Sequence, residues 1–307
     1  MEQLHETLLV RQPTPGIIRM GGSDGLDLLH RISTNAVADL PMGHARPTIL
    51  TNALGRIVDV ITILHTHAGP RLVASPGRHE AVMDWIQGYI FFQDDVQLVD
   101  ETGDWEEIGI YGKDASEVIG DLIEGASPAD GDALLEAQDF LIWRAPMPMV
   151  GFRSLLPTES LEAHPDPRLQ ADPGPAREAY ESLRIAAGMP VAGHELKEEI
   201  TPLDLGLDRW VSFEKGCYIG QEVIARMESR QQRPRRLVRL TLAGPAAVGS
   251  KLTTADATAG SLTSVAHHLQ AGWIGLGLLH TRIAADARSW EVDGVEATLW
   301  DGEIHPA

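Results

Sequence analysis

Residues 215–222 read Lys-Gly-Cys-Tyr-Ile-Gly-Gln-Glu and contain the only cysteine of the 307-residue chain. Apolar residues then recur with the spacing of one buried helical face, which predicts a helix directly after this stretch. Residues 210–213, Trp-Val-Ser-Phe, are predicted to form a short strand. Cys217 is therefore expected in a strand-to-helix turn, near helical N–H groups that favour a negative charge.

Cys217 has two interpretations. A nearby lysine and a helix start both favour the thiolate, which is the form that acts as a nucleophile or metal ligand. Cys217 would then be catalytic, with Lys215 assisting electrostatically. A lone cysteine is also commonly a small buried apolar residue. The residues themselves leave both interpretations open.

Composition narrows the class of protein. One cysteine excludes an internal disulfide and any iron–sulfur cluster held by several thiolates of one chain. The chain has no apolar run long enough for a bilayer span and no signal or transit segment at its start, so we expect a cytoplasmic protein that does not bind membranes. A net charge of -19 argues against broad attraction to nucleic acid.

The order of predicted elements indicates an α+β protein with three domains. Residues 1–103 mix strands and helices, and with residues 174–230 they are predicted to form a discontinuous core. Residues 104–173 follow a βαββα order that suggests a ferredoxin-like module. Residues 231–307 contain short strands separated by turns, which is typical of a small β-barrel.

Asp59 is a candidate acid or base. It lies in the second strand of a predicted β-hairpin at residues 48–64, on the same face as Ile57, Ile61 and Ile63. A carboxylate on such a face must be hydrogen-bonded, paired or protonated. The alternative is a strand carboxylate that backbone or loop donors satisfy.

Six arginines lie close together at Arg226, Arg230, Arg233, Arg235, Arg236 and Arg239. Arginine forks suit carboxylates and phosphates, so the cluster could receive a polyglutamate tail or an RNA backbone. The alternative is a solvated linker, or pairing with the excess acid of the chain itself. Histidine spacing predicts no resident metal site.

Three stretches together resemble a known family. They are the motif at 215–222, Leu-Arg-Ile-Ala-Ala-Gly-Met-Pro at 183–190, and Thr-Pro-Leu-Asp-Leu-Gly-Leu at 201–207. The chain resembles the YgfZ family over nearly its whole length. That family is related to the aminomethyltransferase, or T-protein, of the glycine cleavage system.

The resemblance implies a three-domain ring with tetrahydrofolate, or a derivative, in a central opening beside the cysteine motif. It also implies an accessory role in assembly or repair of iron–sulfur proteins, including tRNA-modifying enzymes, so that any link to tRNA is indirect. Cys217 would attack a one-carbon adduct or ligate a cluster transiently, and we expect a monomer. The folate-binding residues implied are Tyr218, Gln221, Glu222, Arg226, Arg184 and Asn52.

Two departures separate the chain from true T-proteins within this resemblance. T-proteins carry a glutamate for the pterin ring where this chain has Ala186, and they lack a cysteine at the position of Cys217. Both differences favour the YgfZ branch. The alternative function is a tetrahydrofolate-dependent aminomethyltransferase with Asp59 as base. A third hypothesis is an RNA-binding module that uses the arginine cluster.

Overall fold

In a computed structural model, the residues described are 7–123, 131–137, 139–145, 151–164, 166–171, 173–255, 257–283 and 287–300. The strands of this part are β1 Leu8–Arg11, β2 Gly16–Gly21, β3 His44–Thr51, β4 Ile57–Thr66, β5 Gly69–Ala74, β6 Gln97–Asp100, β7 Trp105–Tyr111, β8 Leu134–Ala137, β9 Phe140–Arg144, β10 Gly151–Pro157, β11 Arg235–Leu242, β12 Lys251–Thr253, β13 Thr258–His268, β14 Gly272–His280, β15 Ser289–Val292 and β16 Val295–Leu299. The helices are α1 Gly25–Ile32, α2 His79–Gln87, α3 Ala115–Leu122, α4 Thr158–Ala163, α5 Pro167–Gln170, α6 Pro173–Ala187 and α7 Gln221–Ser229. Residues 1–6 and 301–307 of the predicted domains lie outside the described part.

The first sheet has the strand order β3-β4-β5-β2-β6. β3 and β4 pair antiparallel, which confirms the predicted hairpin. One face of the sheet carries apolar side chains that pack against Leu28 and Leu29 of α1 and Val82 and Ile86 of α2. Both helices place their apolar residues at helical spacing, so their polar sides stay in solvent.

The second sheet has the order β1-β7-β10-β9-β8, with α3 and α4 packed on it. Its outer strand β1 comes from the N-terminal part of the chain and pairs antiparallel with β7. Residues 8–11 were assigned from the sequence to the first domain, but their ladder lies in the module predicted to be ferredoxin-like. The domain boundaries themselves stay a prediction.

The C-terminal strands close into a barrel in the order β11-β14-β13-β12-β15-β16. Small residues in β14 make room for its interior: a Cβ on Gly277 would lie 2.8 Å from Leu252 Cδ1 and 2.9 Å from Leu240 Cδ1. The predicted fold class, mixed α and β with a C-terminal β-barrel, is confirmed. No described helix is long and apolar enough to cross a membrane.

The strand predicted at residues 210–213 is wrong. A 3-10 turn at Asp208–Trp210 occupies its start, and a loop follows. Trp210 and Val211 are inserted into a core with Ile57 of β4 and Ile224 of α7. The apolar pattern therefore reports burial in a loop that is packed into the core, which short apolar runs do not distinguish from a strand.

Candidate ligand-binding site

A cavity of about 710 Å³ lies between the two sheets, α6 and the loop that follows it; we call it the central cavity. Its wall combines apolar, aromatic and charged side chains from segments far apart in the sequence. Such a volume and such a mixture are typical of small-molecule sites. Its lining residues include Gln12, Val60, Thr62, Ser75, Glu107, Tyr111, Arg153, Tyr180, Glu181 and Trp210.

Two charged residues of the wall neutralise each other. Arg153 donates from Nε to Glu107 Oε1 at 2.6 Å and from Nη2 to Oε2 at 2.8 Å. Tyr111 and Tyr180 lie beside them with ring centroids 5.2 Å apart. Burial raises the pKa of both phenols, so they stay neutral at physiological pH. This part of the wall is a pre-formed polar and aromatic surface without a net charge.

Gln12 contributes a hydrogen-bond donor without an acceptor. Only 8% of the residue is exposed, and its Nε2 has no partner among the described residues. A buried donor left unpaired costs about 1–3 kcal/mol. Gln12 lies in the cavity wall, but its Nε2 is buried behind the cavity surface, so a ligand would meet this donor only after the side chain had moved.

A smaller cavity of about 230 Å³ adjoins the first, and we call it the side cavity. The two share Pro47, Thr62, Ala145 and Trp210 in their walls. The side cavity is also lined by Asp132, Trp143, Arg144 and Arg209.

Asp59 is buried on the helix side of the first sheet and is 1% exposed. Its Oδ1 accepts from Ser75 Oγ at 2.7 Å and its Oδ2 from Ser75 N at 3.0 Å. Burial raises the pKa of Asp59, and the Ser75 hydrogen bonds partly oppose the rise. The carboxylate therefore holds the end of β5, while Ser75 itself reaches the central cavity.

The residue of β4 that faces the central cavity next to Asp59 is Val60. Successive residues of a strand point to opposite faces, so Asp59 and Val60 cannot share the cavity. Thr62, two residues further on, lies in the same wall. In this geometry β4 presents an apolar and a hydroxyl side chain to a ligand and no carboxylate.

Lys215 fixes the motif to α1. Its Nζ donates to the carbonyl oxygens of His30 at 2.5 Å, Ser33 at 2.8 Å and Asn35 at 2.8 Å. An ammonium has three N–H donors, so all of them are used. Burial lowers the pKa of Lys215 to about 8, while the three carbonyl acceptors favour its protonated form. Lys215 acts as a cap for the end of α1 and the turn after it.

Cys217 is exposed and lies in the loop ahead of α7. Neither it nor any other residue of 215–222 lines the central cavity. The central cavity therefore does not test the expectation that this motif lies beside a ligand, and that expectation stays a prediction. The interpretation of Cys217 as a buried apolar residue is also wrong.

The loop of the motif packs on the turn between β3 and β4. Gly220, the N-cap of α7, has φ +82°, and a Cβ there would lie 2.5 Å from Asn52 O and 2.8 Å from Gly55 Cα. Thr51 Oγ1 donates to Ile219 O at 2.6 Å. Only glycine at 220 permits this close approach.

Asn52, predicted to bind folate, shapes that turn. Its Oδ1 accepts from Leu54 N at 2.9 Å and from Arg56 N at 3.1 Å. Asparagine commonly organises turns by such local hydrogen bonds. Its side-chain oxygen is therefore occupied within the turn.

The remaining predicted folate ligands, Tyr218, Gln221, Glu222 and Arg226, lie in different environments. Tyr218 is buried in the core, and burial raises its pKa to about 12. Gln221 is half-buried at the start of α7. Glu222 and Arg226 form an exposed i,i+4 ion pair, which contributes little to stability. None of the four lies in the wall of the central cavity.

Arg184 is fully buried and belongs to a polar cluster between α6 and the barrel. Its Nε donates to Glu181 Oε1 at 2.9 Å and its Nη2 to Ser264 Oγ at 3.0 Å. Ser264 Oγ in turn donates to Glu195 Oε1 at 2.6 Å. Arg184 thus joins the barrel to the core and orients Glu181, whose carboxylate is the member of the cluster that reaches the cavity wall.

Most of the arginine cluster is engaged with the protein itself. Arg233 binds both carboxylate oxygens of Asp208. The other partners are Glu222 for Arg226, the carbonyl of Glu199 for Arg235 and the carbonyl of Ala186 for Arg239. These contacts favour the structural interpretation of the cluster. Within the described ranges, no group of three or more His, Cys, Asp or Glu could hold a metal ion.

Gln12, Trp143 and Arg209 were not predicted as site residues. Each lies in a segment without a motif, and the cavities assemble them from different parts of the chain. The single available signal was the unusual density of tryptophan and arginine at 209–210, since arginine stacks on aromatic faces.

Comparisons with known proteins agree with this architecture. Residues 9–145 match the family described as the GCVT N-terminal domain. A chloroplastic protein of Arabidopsis thaliana, provisionally named a transferase, is 28% identical over 292 residues, which cover 88% of this chain and 64% of that protein. An aminomethyltransferase of Streptomyces avermitilis is 27% identical over 257 residues, which cover 75% of this chain and 65% of that enzyme.

Among solved structures, the glycine cleavage system aminomethyltransferase T of Bartonella henselae matches with a TM-score of 0.81. The match covers 97% of this chain and 86% of that one at 20% identity, so it shows a shared fold. The chain spans slightly less than two thirds of the length of the Arabidopsis and Streptomyces relatives. Together the matches support a relationship with T-protein-like proteins.

Proposed function

We propose that this T-protein-like chain is a folate-binding accessory protein of the YgfZ type that serves assembly or repair of iron–sulfur proteins. The observation that carries the folate part is the central cavity, whose wall combines the paired rings of Tyr111 and Tyr180 with the Glu181 side chain. The residues present fit a reduced folate, which combines a flat heterocycle with polar edges and a benzoyl linker. Bound folate would supply a one-carbon carrier.

The wall offers complementary groups for the heterocycle. The Glu181 carboxylate would accept from the ring amino group. Arg184 holds that carboxylate in place through Nε at 2.9 Å from each of its oxygens. Glu181 would thus take the role of the T-protein glutamate whose position is occupied here by Ala186. It lies five residues before Ala186 on the same helix. Tyr111 and Tyr180 would exclude water from one side.

The position of Cys217 supports an accessory role. An exposed thiol outside the cavity wall is accessible to another protein and is separated from a ligand in the cavity. Of the two roles considered for it, transient ligation of a cluster carried by a client protein is favoured over attack on a one-carbon adduct. The cluster is cargo in this proposal. A client would approach the surface formed by the motif loop.

The wall of the central cavity contains Val60 and not Asp59, which argues against aminomethyl transfer. That chemistry needs a group that positions or accepts a proton near the bound one-carbon unit. The carboxylate of Asp59 points away from the cavity, and its oxygens are occupied by Ser75. The aminomethyltransferase relatives keep transfer as the second candidate function.

Isothermal titration of the full chain with tetrahydrofolate and its 5-formyl and 5,10-methylene forms tests the folate site. We expect binding by the wild type, unchanged binding by Cys217→Ala, and loss in Glu181→Ala. Glu222→Gln, which changes an exposed carboxylate outside the cavity, is the matched control. No binding of any form by the wild type would contradict the proposal.

Cells that depend on this protein test the accessory role. We expect Cys217→Ala to lower the activity of iron–sulfur enzymes while the level of the protein stays constant, and Cys217→Ser to behave likewise. Unchanged activities would remove the cysteine from the mechanism. Turnover of an amine donor with tetrahydrofolate by the purified protein would instead establish the aminomethyltransferase function.

A further inference from the structure

We propose that Phe91, Phe92 and Phe213, which we call the aromatic patch, form a docking surface for a partner protein that presents apolar side chains within a basic surface. Phe91 and Phe92 lie in a first loop, between α2 and β6, and Phe213 lies in a second loop, which leads into α7. Under the proposed accessory function, on which the identity of the partner rests, this partner is a client or assembly protein of iron–sulfur clusters.

Three of the five phenylalanines of the chain belong to the patch and reach solvent. Phe92 is fully exposed, Phe91 is 57% exposed and Phe213 is 43% exposed. The other two, Phe140 and Phe152, are buried in the core of the second sheet. A single exposed apolar residue needs no explanation, whereas several exposed aromatic rings indicate an interaction surface, because aromatic residues are enriched at protein interfaces.

Both loops of the patch are attached to α1, which has only eight residues and is therefore about 12 Å long. In the first loop, Asp94 Oδ1 accepts from Arg31 Nη2 of α1 at 2.8 Å. In the second loop, Ser212 N donates to Thr34 O at 2.9 Å, two residues after α1 ends. The second loop also carries Cys217, so the patch and the exposed thiol are arranged around one short helix.

The first loop presents its phenylalanines from a closed turn. Phe91 N donates to Asp94 Oδ2 at 2.8 Å, and Asp94 N donates back to Phe91 O at 3.0 Å. Arg31 occupies the other oxygen of the same carboxylate. Just before the turn, the rings of Trp85 and Tyr89 lie 4.7 Å apart and pack against the core of the first sheet. A surface that is already ordered loses less conformational entropy when a partner binds.

The surroundings of the patch are negatively charged. Arg31 is shared between two carboxylates, Asp27 through Nε and Asp94 through Nη2. The ammonium of Lys215 is directed at backbone carbonyls, and the nearest further arginine before the second loop, Arg209, lines the side cavity. The carboxylates carried by α1, its cap position and the two loops are those of Asp24, Asp27, Asp94, Asp95 and Glu214.

This acidic rim selects the occupant of the patch. Charges across an interface are complementary and like charges opposite each other are costly, so we expect the partner to carry lysine and arginine around its apolar residues. A second copy of this chain would bring the same carboxylates to the contact, and each copy has a net charge of -19. An anionic membrane surface would be repelled in the same way.

The test places the photo-crosslinking residue p-benzoyl-phenylalanine at position 92 of the full chain, in cells that depend on this protein. Position 269 is the matched control, because Leu269 is 72% exposed but lies between β13 and β14 of the barrel. After irradiation we expect position 92, and not position 269, to be linked to a partner that mass spectrometry identifies. A cross-link to a second copy of this chain alone, or none at position 92, would overturn the proposal.

The identified partner is then purified and titrated into the full chain by calorimetry at low and at high salt. We expect Phe91→Ser and Phe213→Ser each to weaken its binding about tenfold or more, as for anchor residues of an interface. Glu214→Gln should weaken binding severalfold at low salt only, because salt screens this contribution. Leu269→Ser should leave the affinity unchanged, and the urea midpoints of all these variants should match that of the wild type.

Partner binding that neither phenylalanine substitution weakens, or that salt does not weaken, would contradict the docking surface. Phe92-dependent sedimentation of the chain with vesicles of phosphatidylcholine and phosphatidylglycerol would assign the patch to a membrane and would contradict it as well. If the partner has no connection with iron–sulfur proteins but binds with the expected dependence, the surface stands and the accessory function fails. If Cys217→Ala lowers the activity of iron–sulfur enzymes, and the phenylalanine variants bind these enzymes as the wild type does, the accessory function stands and the surface fails.

Discussion

Lys215 Nζ lies 2.8 Å from the carbonyl oxygen of Ser33, a residue 182 positions earlier in the chain. The same ammonium binds two further carbonyls around the end of α1, so the charged residue of the motif stabilises the fold. We expect Lys215→Met to lower the free energy of unfolding by about 2–4 kcal/mol, since it leaves partly buried carbonyls without a donor.

Urea unfolding of Lys215→Met beside Glu214→Gln, the exposed neighbouring position, measures this effect. Lys215→Arg should recover part of the stability because it keeps the charge. A destabilisation no larger than that of Glu214→Gln would contradict a capping role and would return Lys215 to the list of candidate catalytic residues.

His30 should make stability depend on pH. Its Nδ1 accepts from the backbone N–H groups of Val37 at 3.1 Å and Ala38 at 3.2 Å, which requires an unprotonated nitrogen. Burial lowers the pKa of His30, Lys215 lowers it further, and Asp27 and Asp39 partly compensate.

The folded pKa of His30 is thus below that of the unfolded chain, whose value is about 6.5. As the pH falls below 6.5 the unfolded chain takes up the proton first, so this contribution to stability is lost with acidification. We expect urea midpoints at pH 7.0 and 5.5 to differ more for the wild type than for His30→Asn, whose amide oxygen can replace the acceptor without titrating. Equal differences would exclude His30 as the source.

Substitutions at Asp59 and at Val60 should have different effects: the first should lower the stability of the fold, and the second should lower the affinity for tetrahydrofolate. Asp59→Asn places an amide N–H against the donors of Ser75, so we expect a loss of about 1–3 kcal/mol with tetrahydrofolate affinity changed less than twofold. Val60→Phe fills part of the central cavity and should lower the affinity at least tenfold. Urea unfolding and titration of both variants check the pair, and a large binding defect in Asp59→Asn alone would show that the carboxylate reaches the ligand.

Gly220 should be intolerant of a side chain. Gly220→Ala combines a positive φ with a Cβ 2.5 Å from Asn52 O, so we expect a loss of about 3 kcal/mol. Gly216→Ala is the matched control in the same loop, because a Cβ there meets nothing within 4 Å. If the two variants unfold at the same urea concentration, the packing of the motif on the β3–β4 turn does not constrain the loop.

The sequence allowed the architecture to be predicted because its signals are local and repeated. The amphipathic spacing of α7, the β3–β4 hairpin and the succession of barrel strands all follow from periodicity. The prediction of a strand at residues 210–213 was wrong because Trp210 and Val211 are buried although they belong to a turn and a loop. Periodicity placed Asp59 correctly with Ile61 and Ile63, but the prediction that Ile57 shares their face was wrong, because a register shift between Ile57 and Asp59 puts Ile57 in a different core. Periodicity also could not say which face of β4 meets a ligand.

The candidate site was less accessible from the sequence. The sequence motif is easily recognised, but the sequence does not show that Lys215 and Asn52 use their side chains in structural hydrogen bonds. The central cavity is assembled from the segment after β1, from β4 and α6, and from the loop at 189–196, which no short pattern connects. That Gln12 Nε2 and Trp143 Nε1 have no partner within the described ranges follows only from the three-dimensional structure, since pairing depends on all neighbours at once.

The pairing of β1 with β7 has a consequence for synthesis of the chain on the ribosome. Leu8 pairs with Tyr111, so the first strand emerges about a hundred residues before its partner exists. At about 5–20 residues per second, it waits for roughly 5–20 seconds with its backbone unpaired. During that interval the backbone N–H and C=O groups of the segment lack their ladder partners, and the second sheet can close only once β7 has been synthesised.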